Sequence, residues 1–273
     1  MANVPKAVSK RLSSEVTKFK KILESARDRD VNESDTVTII TDMLNDVFGF
    51  DKYSDITREF VIQGTYCDLA VKNAGKVEYL IEVKAIGLDL KDNHLRQAIN
   101  YAAKSGIKWV VLTNGILWKI YRVLVDGQVS HELVIEMNFL EINPRKTEDQ
   151  ECLFLLCKRG VDKDLIEELY EHRQSVNRYS VAALLLSDSV ISVVKRELKK
   201  IKPGLKVTDD EVKKTIETEV FKRDLFDGEA ARDARAKIAR ILGKQARPKK
   251  KKTKSNYVEP DTTTVIEKGA DFL

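Results

Sequence analysis

Residues 66–84 read YCDLAVKNAGKVEYLIEVK, and this stretch decides how the rest of the chain is read. Two strand-like runs, residues 66–71 and 77–85, flank Asn73-Ala74-Gly75, a tight-turn signal. Side chains alternate along a strand, so Tyr79, Ile81 and Val83 point one way while Leu80, Glu82 and Lys84 point the other. Opposite charges two apart in an otherwise apolar strand have a bland reading, a solvated face closed by a salt bridge. Asp68, in the middle of the preceding run, supplies a sharper one. With the two strands adjacent, one Asp and one Glu reach a common divalent cation with a Lys beside it. Such a set suits phosphodiester hydrolysis, because Mg²⁺ takes carboxylate oxygens and keeps several waters. The ammonium then orients the attacking water or offsets charge gathering on the phosphate.

Working outward, residues 6–29 form a basic helix with Val8, Leu12, Val16, Phe19 and Leu23 on one face. A second helix starts after Asn32, an N-cap with Asp35 three residues on, and ends at Gly49. Its buried stripe is Val37, Ile40, Met43, Leu44 and Val47, with Glu33 at the edge of that stripe. Glu33 either suits the helix dipole or serves the acidic site. A strand precedes the central pair, with a break at Gln63-Gly64. Residues 91–105 form a helix that places Gln97 and Tyr101 on a shared side. It leads as a crossover into the buried strand KWVVLT, residues 108–113. Asn114-Gly115 and Asp126-Gly127 then turn residues 117–125 and 129–136 back and forth. Trp109, Trp118 and Tyr121 read as core aromatics, with base stacking the competing use.

From Pro144 onward the pattern is helical alone, at 148–158, 163–173, 181–200, 209–226 and 229–242. Thr208–Glu211 is a capping box, and Leu184, Leu185, Val190, Val193, Val194 and Leu198 call for a buried partner. The expected organisation is therefore a mixed α/β unit over 1–145, a helical domain over 146–242 and a tail over 243–273. The helical domain would serve packing, homodimerisation, a partner protein or substrate holding. Residues 243–254, GKQARPKKKKTK, hold seven Lys or Arg and no acid, which accounts for the net charge of +5. Without them the body is near neutral, so affinity for a polyanion belongs to the tail or to a local patch. No run approaches a membrane span, and residues 1–30 lack a secretory apolar stretch. Cys67, Cys152 and Cys157 form no CxxC pair, so the expectation is a reduced, cytoplasmic protein without structural zinc.

At Asp68, Glu82 and Lys84 the chain resembles the PD-(D/E)XK nuclease superfamily. It is most similar there to the N-terminal nuclease domain of the type I restriction enzyme motor subunit. The likeness runs over roughly residues 31–140 and includes NESDTVTIITDMLNDVFGF, CDLAV, IEVKA, RQAINYAAKSG and VVLTNGILWKIY. It implies a restriction-endonuclease-like α/β core with a central mixed sheet and flanking helices, followed here by an all-helical domain. It also implies Mg²⁺, for which Mn²⁺ substitutes, on Asp68 and Glu82, Lys84 assisting the water, and Glu33 completing the site. Gln97 and Tyr101 match the accessory motif that holds catalytic groups and DNA backbone. Cys67 stands where the superfamily name has proline, a position without a metal role. No GxxxxGK[ST] loop occurs, so the ATP-driven motor of the large subunits is absent from this sequence. The leading reading is a Mg²⁺-dependent DNA endonuclease or a nuclease module working with partners. Its competitors are a non-catalytic nucleic-acid-binding protein on the same core, and a structural protein whose charged strand is incidental.

Overall fold

A computed structural model describes residues 3–62, 65–222, 225 and 228–245. The chain divides into two compact units, one ending at Ser175 and the other beginning at Val176. The first unit is built on a six-stranded sheet of β1 (Ile56–Ile62), β2 (Thr65–Asn73), β3 (Lys76–Val83), β4 (Trp109–Thr113), β5 (Leu117–Asp126) and β6 (Gln128–Asn138). Strand order follows chain order, and every neighbouring pair is antiparallel except β3 with β4. That parallel pair requires a crossover, which α3 (Arg96–Lys104) provides, preceded by a 3-10 turn at Asp92–Leu95. The sheet is thus the mixed α/β core that the sequence predicts. Ala74 and Gly75 both take positive φ, 48° and 81°, and make the two-residue turn between β2 and β3. The predicted break at Gln63-Gly64 lies outside the described residues.

Strand alternation sorts the apolar side chains into two layers. Leu69, Val71, Tyr79, Ile81 and Val83 join one core with α1 (Lys6–Asp28) and α2 (Glu33–Asp46). Ala70, Leu80, Val110 and Leu112 face the other way, onto Leu95, Ala98, Ile99 and Ala102 around α3. Trp109, Trp118 and Tyr121 are all buried, which leaves them to the core and removes base stacking. Asn32 caps α2 as its sequence implies, its side chain accepting from Asp35 N–H at 2.9 Å. The far end of α2 is closed from α1: Arg11 donates to the carbonyls of Val47 and Phe48. Gly49 has φ of +80°, a left-handed backbone that glycine adopts freely, and a Cβ there would fall 2.4 Å from the Arg11 guanidinium and displace it.

The change from strands to helices does not mark the edge of the first unit. After β6, α4 (Thr147–Leu156), α5 (Lys158–Val161) and α6 (Leu165–Ser175) remain with the sheet. Leu153 and Phe154 are fully buried in the same core as α1 and α2. The Tyr79 hydroxyl donates to the Leu156 carbonyl at 3.3 Å, and Lys158 reaches Asp55 at 2.7 Å. The boundary expected at 145 is therefore displaced by three helices. The second unit contains α7 (Arg178–Leu185), α8 (Asp188–Ile201), α9 (Asp209–Thr215) and α10 (Glu229–Gln245). The helix read from 181 to 200 is two helices, because the chain turns at Leu186-Ser187. Thr208 and Glu211 form the predicted capping box, but α9 passes into a single π turn, Ile216–Val220, and stops before 226. Residues 246–273, most of the basic tail, lie outside the described residues. Among the described residues no helix is long and apolar enough to cross a membrane.

Candidate metal and nuclease site

β2 and β3 pair from Asn73 opposite Lys76, through a register shift between Val71 and Lys72, as far as Leu69 opposite Ile81, and there the ladder ends. At the next position the Asp68 side chain takes over from the backbone, its Oδ2 accepting the Val83 N–H at 2.7 Å. A carboxylate is thereby fixed at the point where the strands part. Glu82 and Lys84 follow at alternate positions on β3 and just beyond it, with the Lys84 amide bonded to Thr113 O of the parallel strand at 2.9 Å. Lys84 Nζ lies 2.9 Å from Glu82 Oε1 and 3.4 Å from Glu33 Oε2 at the start of α2. Lys84 and Glu82 are each 15% exposed, whereas Glu33 is half exposed. The elements read from the sequence thus bring both Glu33 and Glu82 onto Lys84, with Asp68 alongside.

Electrostatics agree with that grouping. Burial raises the Glu82 carboxyl above its ordinary range, the charge of Asp68 adds to the rise, and Lys84 offsets part of it. Asp68 is likewise raised, first by burial, against the lowering effect of the Val83 amide and Lys84; Glu33 and Glu59 push it further up. For Lys84, burial pulls downward but is outweighed by the hydrogen bond and charge of Glu82, with Glu33 and Asp68 assisting. The neighbouring Cys67 thiol is pushed up to about 12 by burial and by the same two acids, which makes it an inert core group. Three acids share one ammonium, so the cluster has an excess of negative charge in a partly desolvated place.

By type, carboxylate oxygens are the donors a hard divalent cation takes. Among the described residues no group of three or more His, Cys, Asp or Glu is disposed to hold a metal. Mg²⁺ does not demand one, since it is commonly bound through one or two carboxylates with water completing its octahedron. Asp68 and Glu82 are the two partly buried carboxylates there, each raised first by burial.

Gln97 and Tyr101 take different places from those the resemblance suggests for them as a pair. Gln97 Nε2 donates to the Tyr66 carbonyl at 3.2 Å, tying α3 to β2 two residues before Asp68. Tyr101 is 4% exposed, its ring edge-on to Phe60 and its hydroxyl buried with no hydrogen-bond partner. It belongs to the α3 core layer, and its polar end does not line an open rim. His94 serves its own turn, accepting the Lys91 N–H at 3.3 Å. One acid escapes the sequence reading. Glu59 sits in β1 with φ of +46°, between the paired Arg58–Leu69 and Phe60–Cys67 and hence across from Asp68. Its only sequence signal is a charge beside apolar strand residues, too common to single it out.

Residues 40–136, 97 of 273, match the family model described as Type I restriction enzyme R protein N terminus. The match runs from within α2 into β6, so it takes in Asp68, Glu82, Lys84, Gln97 and Tyr101 and leaves Glu33 outside. No curated protein and no solved structure matches the chain. The likeness is thus a distant one, to the N-terminal domain of these subunits, and it falls on the sheet and its crossover helix.

Proposed function

We propose that the chain is a Mg²⁺-dependent deoxyribonuclease module of the PD-(D/E)XK type, hydrolysing phosphodiester bonds in restriction or phage-related DNA processing. The observation that carries this reading is the cluster of Asp68, Glu82 and Lys84 where β2 and β3 part. Asp68 and Glu82 would hold the cation, with Glu33 able to join from the start of α2. When bound, Mg²⁺ supplies Lewis-acid polarisation of the phosphate and lowers the pKa of its water. Lys84 orients the attacking water through Nζ and offsets charge as it grows on the phosphate oxygens. The Asp68–Val83 hydrogen bond keeps that carboxylate from rotating away, so no orientation has to be found during the reaction. Gln97 steadies the strand that carries Asp68.

The competing reading, a non-catalytic DNA-binding module on the same core, is supported by Lys84 being already neutralised by two glutamates. Acids concentrated beside a polyanion weigh against it, because binding alone has no use for them. The test is a panel of linear, nicked, branched, single-stranded and modified DNA, incubated with Mg²⁺, Mn²⁺ or EDTA. Cutting of at least one substrate that EDTA abolishes is expected. Binding to several substrates without cutting in either metal would transfer the chain to the binding class.

A further inference from the structure

We propose that Arg58, Val61 and Tyr66, on one face of the β1–β2 ribbon, hold a nucleotide beside the scissile bond, its base stacked on the Tyr66 ring. The inference rests on the nuclease reading and deepens it, because a base that lies on a protein ring has left its own stack. The substrate it names is DNA unpaired at the cut: a gap, a flap or a single strand.

The ribbon's own geometry makes this face. Arg58 pairs with Leu69 and Phe60 with Cys67, and residues paired across two strands point to the same side. Leu69 is buried in the layer of α1 and α2, but Cys67 in the layer of α3. Residues two apart on a regular strand share a face, so the ribbon turns over between these pairs, at Asp68 and at Glu59 with its φ of +46°. The next pair, Val61 with Tyr66, alternates with Phe60 and Cys67 and returns to the side of α1 and α2. It lies open there, Val61 54% and Tyr66 61% exposed. Arg58, on that side through its pairing with Leu69, is exposed too and makes no ion pair among the described residues. Gln97, bonded to the Tyr66 carbonyl, fixes the backbone that carries the ring.

The acidic cluster selects the occupant. Tyr66 is two residues from Asp68 along β2, roughly 7 Å at the usual rise. A DNA strand advances about 3.4 Å per nucleotide in a duplex and further when extended. A phosphate at Asp68, Glu82 and Lys84 therefore brings a neighbouring nucleotide within reach of Tyr66. An exposed ring beside a cation is what binds single strands, the ring taking the base and the guanidinium the backbone. A second copy adding a strand at the β1 edge is opposed at Glu59, whose left-handed backbone breaks the row of edge groups. The exposed pair at the β5–β6 hairpin, Val125 with Val129, has no ring and stands three strands from β2, which makes it a control.

The test uses the full 273-residue chain in EDTA, so that binding is read without cutting. Fluorescence anisotropy compares an oligothymidine single strand with a duplex of equal length, and circular dichroism checks that each variant is folded. Tyr66→Ser should weaken single-strand binding about tenfold, within the range of one lost base–aromatic stack, and leave duplex binding nearly unchanged. Tyr66→Trp should restore the affinity, and Val125→Ser should not alter it. With 5-iodouracil in the oligomer, irradiation should cross-link the DNA to Tyr66, located by mass spectrometry. Equal single-strand affinity for wild type and Tyr66→Ser would overturn the proposal. So would an equal loss for the duplex (the mark of a groove wedge), cross-links that avoid Tyr66, or no single-strand binding at low salt. None of these readings needs the cation. EDTA-sensitive cutting by a chain whose Tyr66→Ser variant binds like wild type would sink the stacking and spare the nuclease; stacking without cutting would do the reverse.

Discussion

Asp68 departs from the sheet's hydrogen-bonding scheme, its carboxylate replacing a backbone acceptor for Val83 N–H, and this places an acid beside Glu82 in a partly desolvated site. Lys84 supplies no carboxylate, so Lys84→Ala should leave fold and cation binding intact. It should still lower the cleavage rate by about 10²–10³-fold, the usual cost of losing one electrostatic contact to a transition state; single-turnover kinetics would reveal it. Asp68 and Glu82 are both raised above their ordinary values of 3.8 and 4.5. A carboxyl of that kind favours the fold only while protonated. Its contribution is full below the unfolded value and is lost as pH rises through the folded one. Metal-free Asp68→Asn and Glu82→Gln should therefore unfold at higher urea than wild type at pH 7, with the gap closing on acidification below 4. A gap that widened on acidification would contradict the raised pKa of the pair. Tyr101 separates packing from catalysis. Removing its unpartnered hydroxyl in Tyr101→Phe should leave stability equal or improved, and a cleavage rate unchanged by that variant would confine the residue to the core.

At the scale of elements, the hairpin, the crossover and both helix caps were legible because each has a local cause. Alternation sets the faces of β3, Ala74-Gly75 makes the turn, and Asn32 and Thr208 supply capping oxygens. The allegiance of α4 was not legible, since its apolar residues identify a buried helix and not its neighbours. Leu153 and Phe154 complete a core that α1, α2 and one sheet face leave open, a long-range fact with no local signature. Phe154→Ala should accordingly destabilise the first unit by about 3–5 kcal/mol in urea titration. A loss well under 1 kcal/mol would detach α4 from that core. Gly49→Ala should cost about 1–2 kcal/mol from the left-handed backbone. The same distinction explains the site. Asp68, Glu82 and Lys84 were visible as charges in strands, whereas the contact of Glu33 with Lys84 and the burial of Tyr101 depend on how helices settle on the sheet.

As a whole molecule, the chain joins a sheet-based unit with a distant likeness to a restriction subunit's N-terminal domain to a second unit of helices. The sequence contains no phosphate-binding GxxxxGK[ST] loop, so DNA cleavage by this chain should proceed equally with and without ATP. Everything in the proposed chemistry depends on whether the acidic cluster takes up a divalent cation. Calorimetric titration of Mn²⁺ into the full chain, run beside Asp68→Asn and Glu82→Gln, measures this directly. Saturable uptake by the wild type and its loss in both variants, each shown to be folded, is the expected result. Absence of uptake by wild type, or uptake undiminished in the variants, would mean that Asp68 and Glu82 hold no cation.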